Sequence, residues 1–262
     1  MFKNRKQKSR KGLLIFIVTM LGEMFIPFDP DAIPLTFMLV MLGILLLFIF
    51  LIIKLVNSIS HGGKIFQQKL TLSTFQQIMT GVVFLYFLFL YFQNGNVQSV
   101  LSLAHSPIKI IIACFAIAMG AGFFEEYFVR GYLFNICQRI LNKYGLEKNR
   151  LTIISAVTSI IFGLIHLSNL SVDPAQAVYQ QVFYATCIGL LFAAIRIVTN
   201  NIFIGAILHF LFDFQVDIYK VSSPDTWSSI IIVFLPIAVI SMILIKSLDR
   251  SVEKQRVPFL KP

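Results

Sequence analysis

A few ionisable side chains stand inside the apolar stretches of this 262-residue sequence, gathered in three short strings. The first is Phe123-Phe124-Glu125-Glu126-Tyr127-Phe128-Val129-Arg130-Gly131, the second Phe162-Gly163-Leu164-Ile165-His166, the third His209-Phe210-Leu211-Phe212-Asp213. Charge inside a bilayer costs about 2.5–3.5 kcal/mol per group on insertion scales, which makes such residues functional candidates by default. Carboxylates and imidazoles together are the groups that take protons from water or ligate a divalent metal. Glu126 and Arg130 are four apart, share a helical face and are expected to form a structural ion pair. Glu125 is rotated about 100° from Glu126 on a helix and is left for chemistry. His209 and Asp213 share a face in the same i, i+4 relation. Of the four histidines, His61 and His105 fall in loops, and His166 and His209 in apolar helices. The plainer alternative is a buried charge network beside two satisfied core histidines. Two imidazoles accompanied by an unexplained Glu and Asp point instead to one shared site.

Membrane helices must carry these strings. Apolar residues make up 57% of the chain and charged residues 13%, against about 25% charged in soluble proteins. Eight spans are predicted, at 13–28, 33–55, 75–92, 108–128 (continuing as helix to 141), 151–168, 177–195, 202–217 and 227–245, near the roughly 20 residues a spanning helix needs. The fold class is therefore all-α, a polytopic transmembrane bundle without internal repeat or dividing linker. Its organisation reads as N-terminal helices over 1–107, core helices over 108–217, and a last span with a basic tail over 218–262. The net charge of +10 sits at span ends, in Lys3, Arg5, Lys6, Lys8, Arg10 and Lys11 and again in Lys246, Arg250, Lys254, Arg256 and Lys261. This is topogenic charge that also meets anionic lipid headgroups, and not a nucleic-acid surface. Alternation of basic and Lys/Arg-poor loops places both termini in the cytoplasm. The N-terminal stretch lacks a small-x-small cleavage pattern, with Glu23 and Met24 in its place, and reads as a retained span. Cys114, Cys137 and Cys187 read as packing residues, and Thr199 or Asn200 as a cap for the helix that follows.

Register supports convergence of the strings. A turn near 142–149 makes the fourth and fifth helices an antiparallel hairpin, with Glu125 about 24 Å above residue 141 and His166 about 27 Å above residue 148. His209 lies only about 15 Å from the turn near 199, so its helix must begin deeper. A straight helix over 108–141 would be about 50 Å long, more than a bilayer needs, and is expected either to project from the membrane or to break at Gly120 or Gly122.

With these strings in order, the chain resembles the CAAX-protease and bacteriocin-processing (CPBP, or Abi) family of intramembrane proteases, defined by E-E-x-x-x-R, F-x-x-x-H and H-x-x-x-N/D on successive core helices. Here they stand as Glu125-Glu126…Arg130, Phe162…His166 and His209…Asp213, and the resemblance covers roughly residues 108–217. It implies an all-helical core and cleavage of a peptide bond near a membrane, in a bacteriocin, a signalling peptide or a lipidated CAAX-like protein. A chain rich in Lys, Ile, Phe and Asn suits an AT-rich bacterium, whose plasma membrane is the expected location. Hydrolysis without a Ser or Cys nucleophile needs an activated water. Glu125 and His166 would deprotonate it, and His209 would stabilise the tetrahedral oxyanion. Asp213 stands where some members have Asn; an ionised Asp only accepts hydrogen bonds, so it must be protonated, orient His209 or ligate a metal. Glu125, His166, His209 and Asp213 together could hold Zn²⁺ with an open position for water, so the cofactor is either absent or a divalent metal. H-E-x-x-H, G-x-S-x-G and G-x-G-D strings are absent. The competing readings are a non-catalytic immunity or scaffold protein of the same fold and an ion-coupled transporter.

Overall fold

The computed structural model describes residues 12, 14–15, 17–19, 30–60, 62–146, 148–216, 218–255 and 257–260. The predicted span 13–28 lies mostly outside these residues, as do Glu23, Met24, His61 and Arg256. Helix dominates, and among the described residues strand pairing is confined to one isolated bridge. In chain order the helices are α1 (Leu35–Ile59), α2 (Thr74–Gln93), α3 (Asn96–Leu103) and α4 (Ile108–Gly120). α4 passes through π-helical turns at Ala121–Glu125 and Tyr127–Leu133 into α5 (Phe134–Lys143). Then come α6 (Arg150–Ile165) with a 3₁₀ extension (His166–Ser171), α7 (Ala175–Thr199), α8 (Ile202–Asp213) and α9 (Trp227–Gln255). α1, α4 and α7 each start directly after a proline, Pro34, Pro107 and Pro174, whose missing N–H costs nothing where a helix begins.

Among the described residues six helical stretches are long and apolar enough to cross a membrane: Leu35–Ile59, Thr74–Gln93, Ile108–Lys143, Arg150–Ser171, Ala175–Thr199 and Trp227–Gln255. The protein is thus an integral, multi-pass membrane protein. The stretch 202–217 differs from expectation. Its helix has 12 residues, about 18 Å, short of the roughly 30 Å hydrocarbon core. The chain turns out of helix there because Gln215 closes the end: its backbone N–H donates to Asp213 O at 2.8 Å and its side-chain amide to Phe212 O at 2.8 Å. The long helix over 108–143 does not break at Gly120 or Gly122. It changes hydrogen-bonding pattern at Ala121, from α to π.

Contacts divide the chain into two compact units, the first of Met1–Gly63, Tyr91–Tyr132 and Ile202–Lys220, the second of Lys64–Leu90, Leu133–Asn201 and Val221–Pro262. In the first, α1 packs on α4 and on the first π turn, and α8 packs on both. Met38, Leu45, Ile52 and Val56 recur at helical spacing along α1 and bury against Ala113, Ala116, Phe124 and Ala206. The other faces of α1, with Phe37, Val40 and Leu47, are exposed as lipid requires.

In the second unit α6 and α7 form a hairpin, with α9 packed on both. A Cβ at Gly163 would meet Val182 O at 2.5 Å and Thr186 Oγ1, so glycine sets how closely α6 and α7 approach. Asp249 of α9 accepts from Leu151 N (3.0 Å), Thr152 N (2.9 Å) and Thr152 Oγ1 (2.7 Å), satisfying donors that the start of α6 leaves open. Asn200 does not open α8. It ends α7 in the left-handed region (φ 53°), and its side chain accepts from Ile65 N (2.7 Å) and Phe66 N (3.0 Å) and donates to Phe66 O (3.0 Å). The same loop pairs with the chain's tail: Phe66 bridges Phe259, Leu260 N donates to Ile65 O (2.9 Å), and Gln67 N donates to Pro258 O (3.2 Å). Arg150 lies over the Phe259 ring, 4.7 Å from its centre.

Candidate active site

Close approach of two backbones builds the first unit's polar cluster. A Cβ on Gly122 would lie 2.6 Å from Phe210 N, 2.8 Å from Ala206 O and 2.9 Å from Phe210 Cα. Only a hydrogen fits there, and α8 rests directly on the π turn that ends with Glu125. π turns inside α-helices recur at functional sites. One helical turn before His209, Gly205 leaves room for Glu126, whose Oε2 would be 3.3 Å from an added Cβ.

Three carboxylates surround the His209 ring. Nε2 lies 3.2 Å from Asp213 Oδ2, within hydrogen-bonding distance, and 3.6 Å from Glu125 Oε2, while Nδ1 lies 3.4 Å from Glu126 Oε1. Glu126 Oε1 is also 3.0 Å from Arg130 Nη1. The expected pair of Glu126 with Arg130 is present, and Glu126 in addition reaches the imidazole, a contact the sequence reading did not foresee. Although the two glutamates point apart, the ring's two nitrogens lie on opposite edges, so neighbouring residues reach one imidazole from two sides. Exposure separates their roles. Glu126 and Arg130 are 1% and 0% exposed, while Glu125 and Asp213 each keep 22% of their side-chain surface. Removing one member of a buried ion pair strands the other at about 3–5 kcal/mol, which marks Glu126–Arg130 as the framework and Glu125 and Asp213 as the accessible groups.

The second unit carries Phe162 and His166. His166 Nδ1 is 2.9 Å from Phe162 O. A carbonyl only accepts, so Nδ1 carries the hydrogen, and in the neutral ring Nε2 is the acceptor nitrogen. The ring also stands edge-on to Phe162, 5.0 Å between centres, which fixes its plane. F-x-x-x-H thus has a local meaning: residue i of a helix end supplies the carbonyl and the ring that orient histidine i+4.

Asn96 and Ser99 were not anticipated. The Asn96 amide is completely buried, is held by Asn94 Nδ2 on its Oδ1 at 3.1 Å, and donates to Phe212 O at the end of α8. Ser99 Oγ accepts from Val216 N just beyond. Nothing in Asn94-Gly95-Asn96 beyond a turn-like composition could have signalled that it grips the helix of His209 and Asp213. Asn96→Ala is expected to cost only about 1 kcal/mol of stability, because Gln215 also serves Phe212 O. Turnover should nevertheless fall roughly tenfold as the end of α8 loosens. Asn96→Asp should cost more, because a carboxylate at this buried position would face the Phe212 carbonyl acceptor against acceptor. Melting temperature and kcat measured side by side check this.

Among the described residues no group of three or more His, Cys, Asp or Glu side chains is placed to hold a metal ion.

Residues 107–215 match the family model described as type II CAAX prenyl endopeptidase, Rce1-like. No curated protein and no solved structure matches the chain.

Proposed function

We propose that this chain, whose residues 107–215 match the Rce1-like model of type II CAAX prenyl endopeptidases, hydrolyses a peptide bond in a membrane-associated peptide or lipidated protein through a water activated by its own side chains. The observation that carries the reading is the half-buried Glu125 carboxylate beside the His209 ring, 3.6 Å away, next to a fully buried Glu126–Arg130 framework.

In this mechanism Glu125 takes a proton from water. The hydroxide adds to the scissile carbonyl carbon, and its electron pair moves onto the carbonyl oxygen. His209, whose Nε2 lies 3.6 Å from Glu125 Oε2, is the side chain placed to stabilise that oxyanion. Collapse of the intermediate breaks the C–N bond, and the proton on Glu125 passes to the leaving amine. Of the three roles open to Asp213, orienting His209 is the one its Nε2···Oδ2 contact supports. Apolar surroundings at Phe123 and Phe124 keep bulk water away from the reacting groups.

The test uses the purified full chain with prenylated C-terminal peptides and with bacteriocin-like or signalling peptides, products being read by mass spectrometry. Cleavage of one class, unchanged by a chelator, is expected. Activity lost to chelator and restored by Zn²⁺ would replace the water-only mechanism with a metal-bound one. Absence of cleavage together with ion flux in liposomes would favour a transporter.

A further inference from the structure

In the second unit, α2 and α9 are pinned together on their inner side and open on their outer side. The buried Gln76 side chain of α2 donates to Ser247 O (2.9 Å), Ser247 Oγ (3.1 Å) and Ser251 Oγ (2.7 Å) of α9. Outside that seam lies a cleft of about 360 Å³ lined by Phe75, Ile243, Lys246, Ser247 and Arg250, within the range of roughly 300–1,000 Å³ found for small-ligand sites. We propose that this cleft binds the phosphate headgroup of an anionic phospholipid.

Three independent features converge on that ligand. Depth is the first. Trp227 to Ile245 contains no charged residue and spans about 28 Å as helix, which matches the hydrocarbon thickness of about 30 Å. Lys246 is the first charge beyond it, with Arg250 one turn further. The neighbouring helix agrees, since α2 begins at Thr74 and is 20 residues long, again about 30 Å. The cleft therefore lies at headgroup level, its cations above Phe75 and Ile243, which are exposed where acyl chains would run.

Charge is the second. Lys246 and Arg250 are exposed on one face of α9, and among the described residues neither enters an ion pair. The acidic residues of the same segment face elsewhere: Asp249 is buried against the start of α6, and Glu253 Oε1 accepts from Asn149 N at 3.4 Å. The cleft thus keeps two positive charges.

Rigidity is the third. Gln76 and Ser73 bond reciprocally, Ser73 N to Gln76 Oε1 at 2.9 Å and Gln76 N to Ser73 Oγ at 3.4 Å, and Tyr86 O–H donates to Val233 O at 2.9 Å further along the seam. These bonds fix the spacing of the two helices beside the cleft. Basic pockets between membrane helices are a recognised way to hold such headgroups.

The experiment reads lipid binding and is independent of proteolysis. The full chain in nanodiscs of phosphatidylcholine with increasing phosphatidylglycerol is compared with Lys246→Gln/Arg250→Gln, retained lipid being counted by native mass spectrometry after gentle release. Phosphatidylglycerol should be retained by the wild type and lost from the double variant with roughly thirtyfold weaker affinity, as two surface cations provide. Unfolding in pure phosphatidylcholine should be the same for both. Charge reversal, Lys246→Glu/Arg250→Glu, should abolish the preference entirely. Equal retention by wild type and both variants would overturn the proposal. Displacement of the lipid by millimolar inorganic phosphate would overturn the lipid assignment in favour of a soluble phosphate ligand.

Discussion

Glu125→Gln is expected to lower kcat by about 10³-fold while leaving the protein folded and membrane-inserted. Gln keeps the shape of Glu, but its carboxamide cannot accept the proton of water, and loss of a general base typically costs 10²–10⁴-fold. The framework beneath is untouched, because Glu126 still pairs with Arg130 at 3.0 Å and Asp213 still faces His209 at 3.2 Å. Glu126→Gln should do the opposite. It removes the charge from the fully buried pair with Arg130 and should lower stability by about 3 kcal/mol, with activity falling because less protein is folded. Turnover per folded molecule and thermal midpoint, measured for both variants, separate the adjacent carboxylates. A near-normal kcat in Glu125→Gln would end its assignment as base. A biological effect that survives the substitution intact would favour a non-catalytic immunity or scaffold role.

The second large effect is expected far from any proton. Gly122→Ala puts a methyl group 2.6–2.9 Å from backbone atoms of Phe210 and Ala206. Backbone in a packed helix cannot swing aside as a side chain can, so α8 must move off the π turn. Overpacking of this kind costs about 1–3 kcal/mol. A displacement near 1 Å of His209 from Glu125 can cost on the order of 10²-fold in rate. Gly205→Ala is the graded control, because its Cβ meets only the end of the Glu126 side chain, at 3.3 Å. Turnover should follow the order wild type, Gly205→Ala, Gly122→Ala. Equal activity in all three would show that the α8 contact does not set the geometry.

Much of this was legible in the sequence because lipid makes polarity rare and therefore informative. Glu126–Arg130 and His209–Asp213 could be paired from i, i+4 spacing alone, and both pairs form. Long apolar runs gave helix limits within a few residues, as for α2 and α7. Hydropathy could not show that α8 ends at Asp213, since Phe214 and Val216 continue the apolar trend while Gln215 ends the helix with its own hydrogen bonds. Nor could it show the π turns, since an i→i+5 pattern leaves no composition mark. Asn96 was illegible for a different reason: its partner, Phe212 O, is a main-chain group distant in sequence, and main-chain acceptors carry no residue identity. Contact of Glu126 with His209 was hidden by treating a helix face as a single direction, whereas an imidazole offers two edges.

The bridge between Phe66 and Phe259 bears on how this protein is handled at the bench. Its final described residues are ladder partners for an internal loop, with Leu260 N on Ile65 O and Phe259 beneath Arg150. An affinity handle fused immediately after Leu260 would crowd that loop, and a chain trimmed back to Gln255 would leave Ile65 O and Gln67 N to find new partners. The exposed turn at Tyr144, Gly145 and Leu146 has no such duty. It is the better place to insert an epitope for mapping which side of the bilayer each loop occupies.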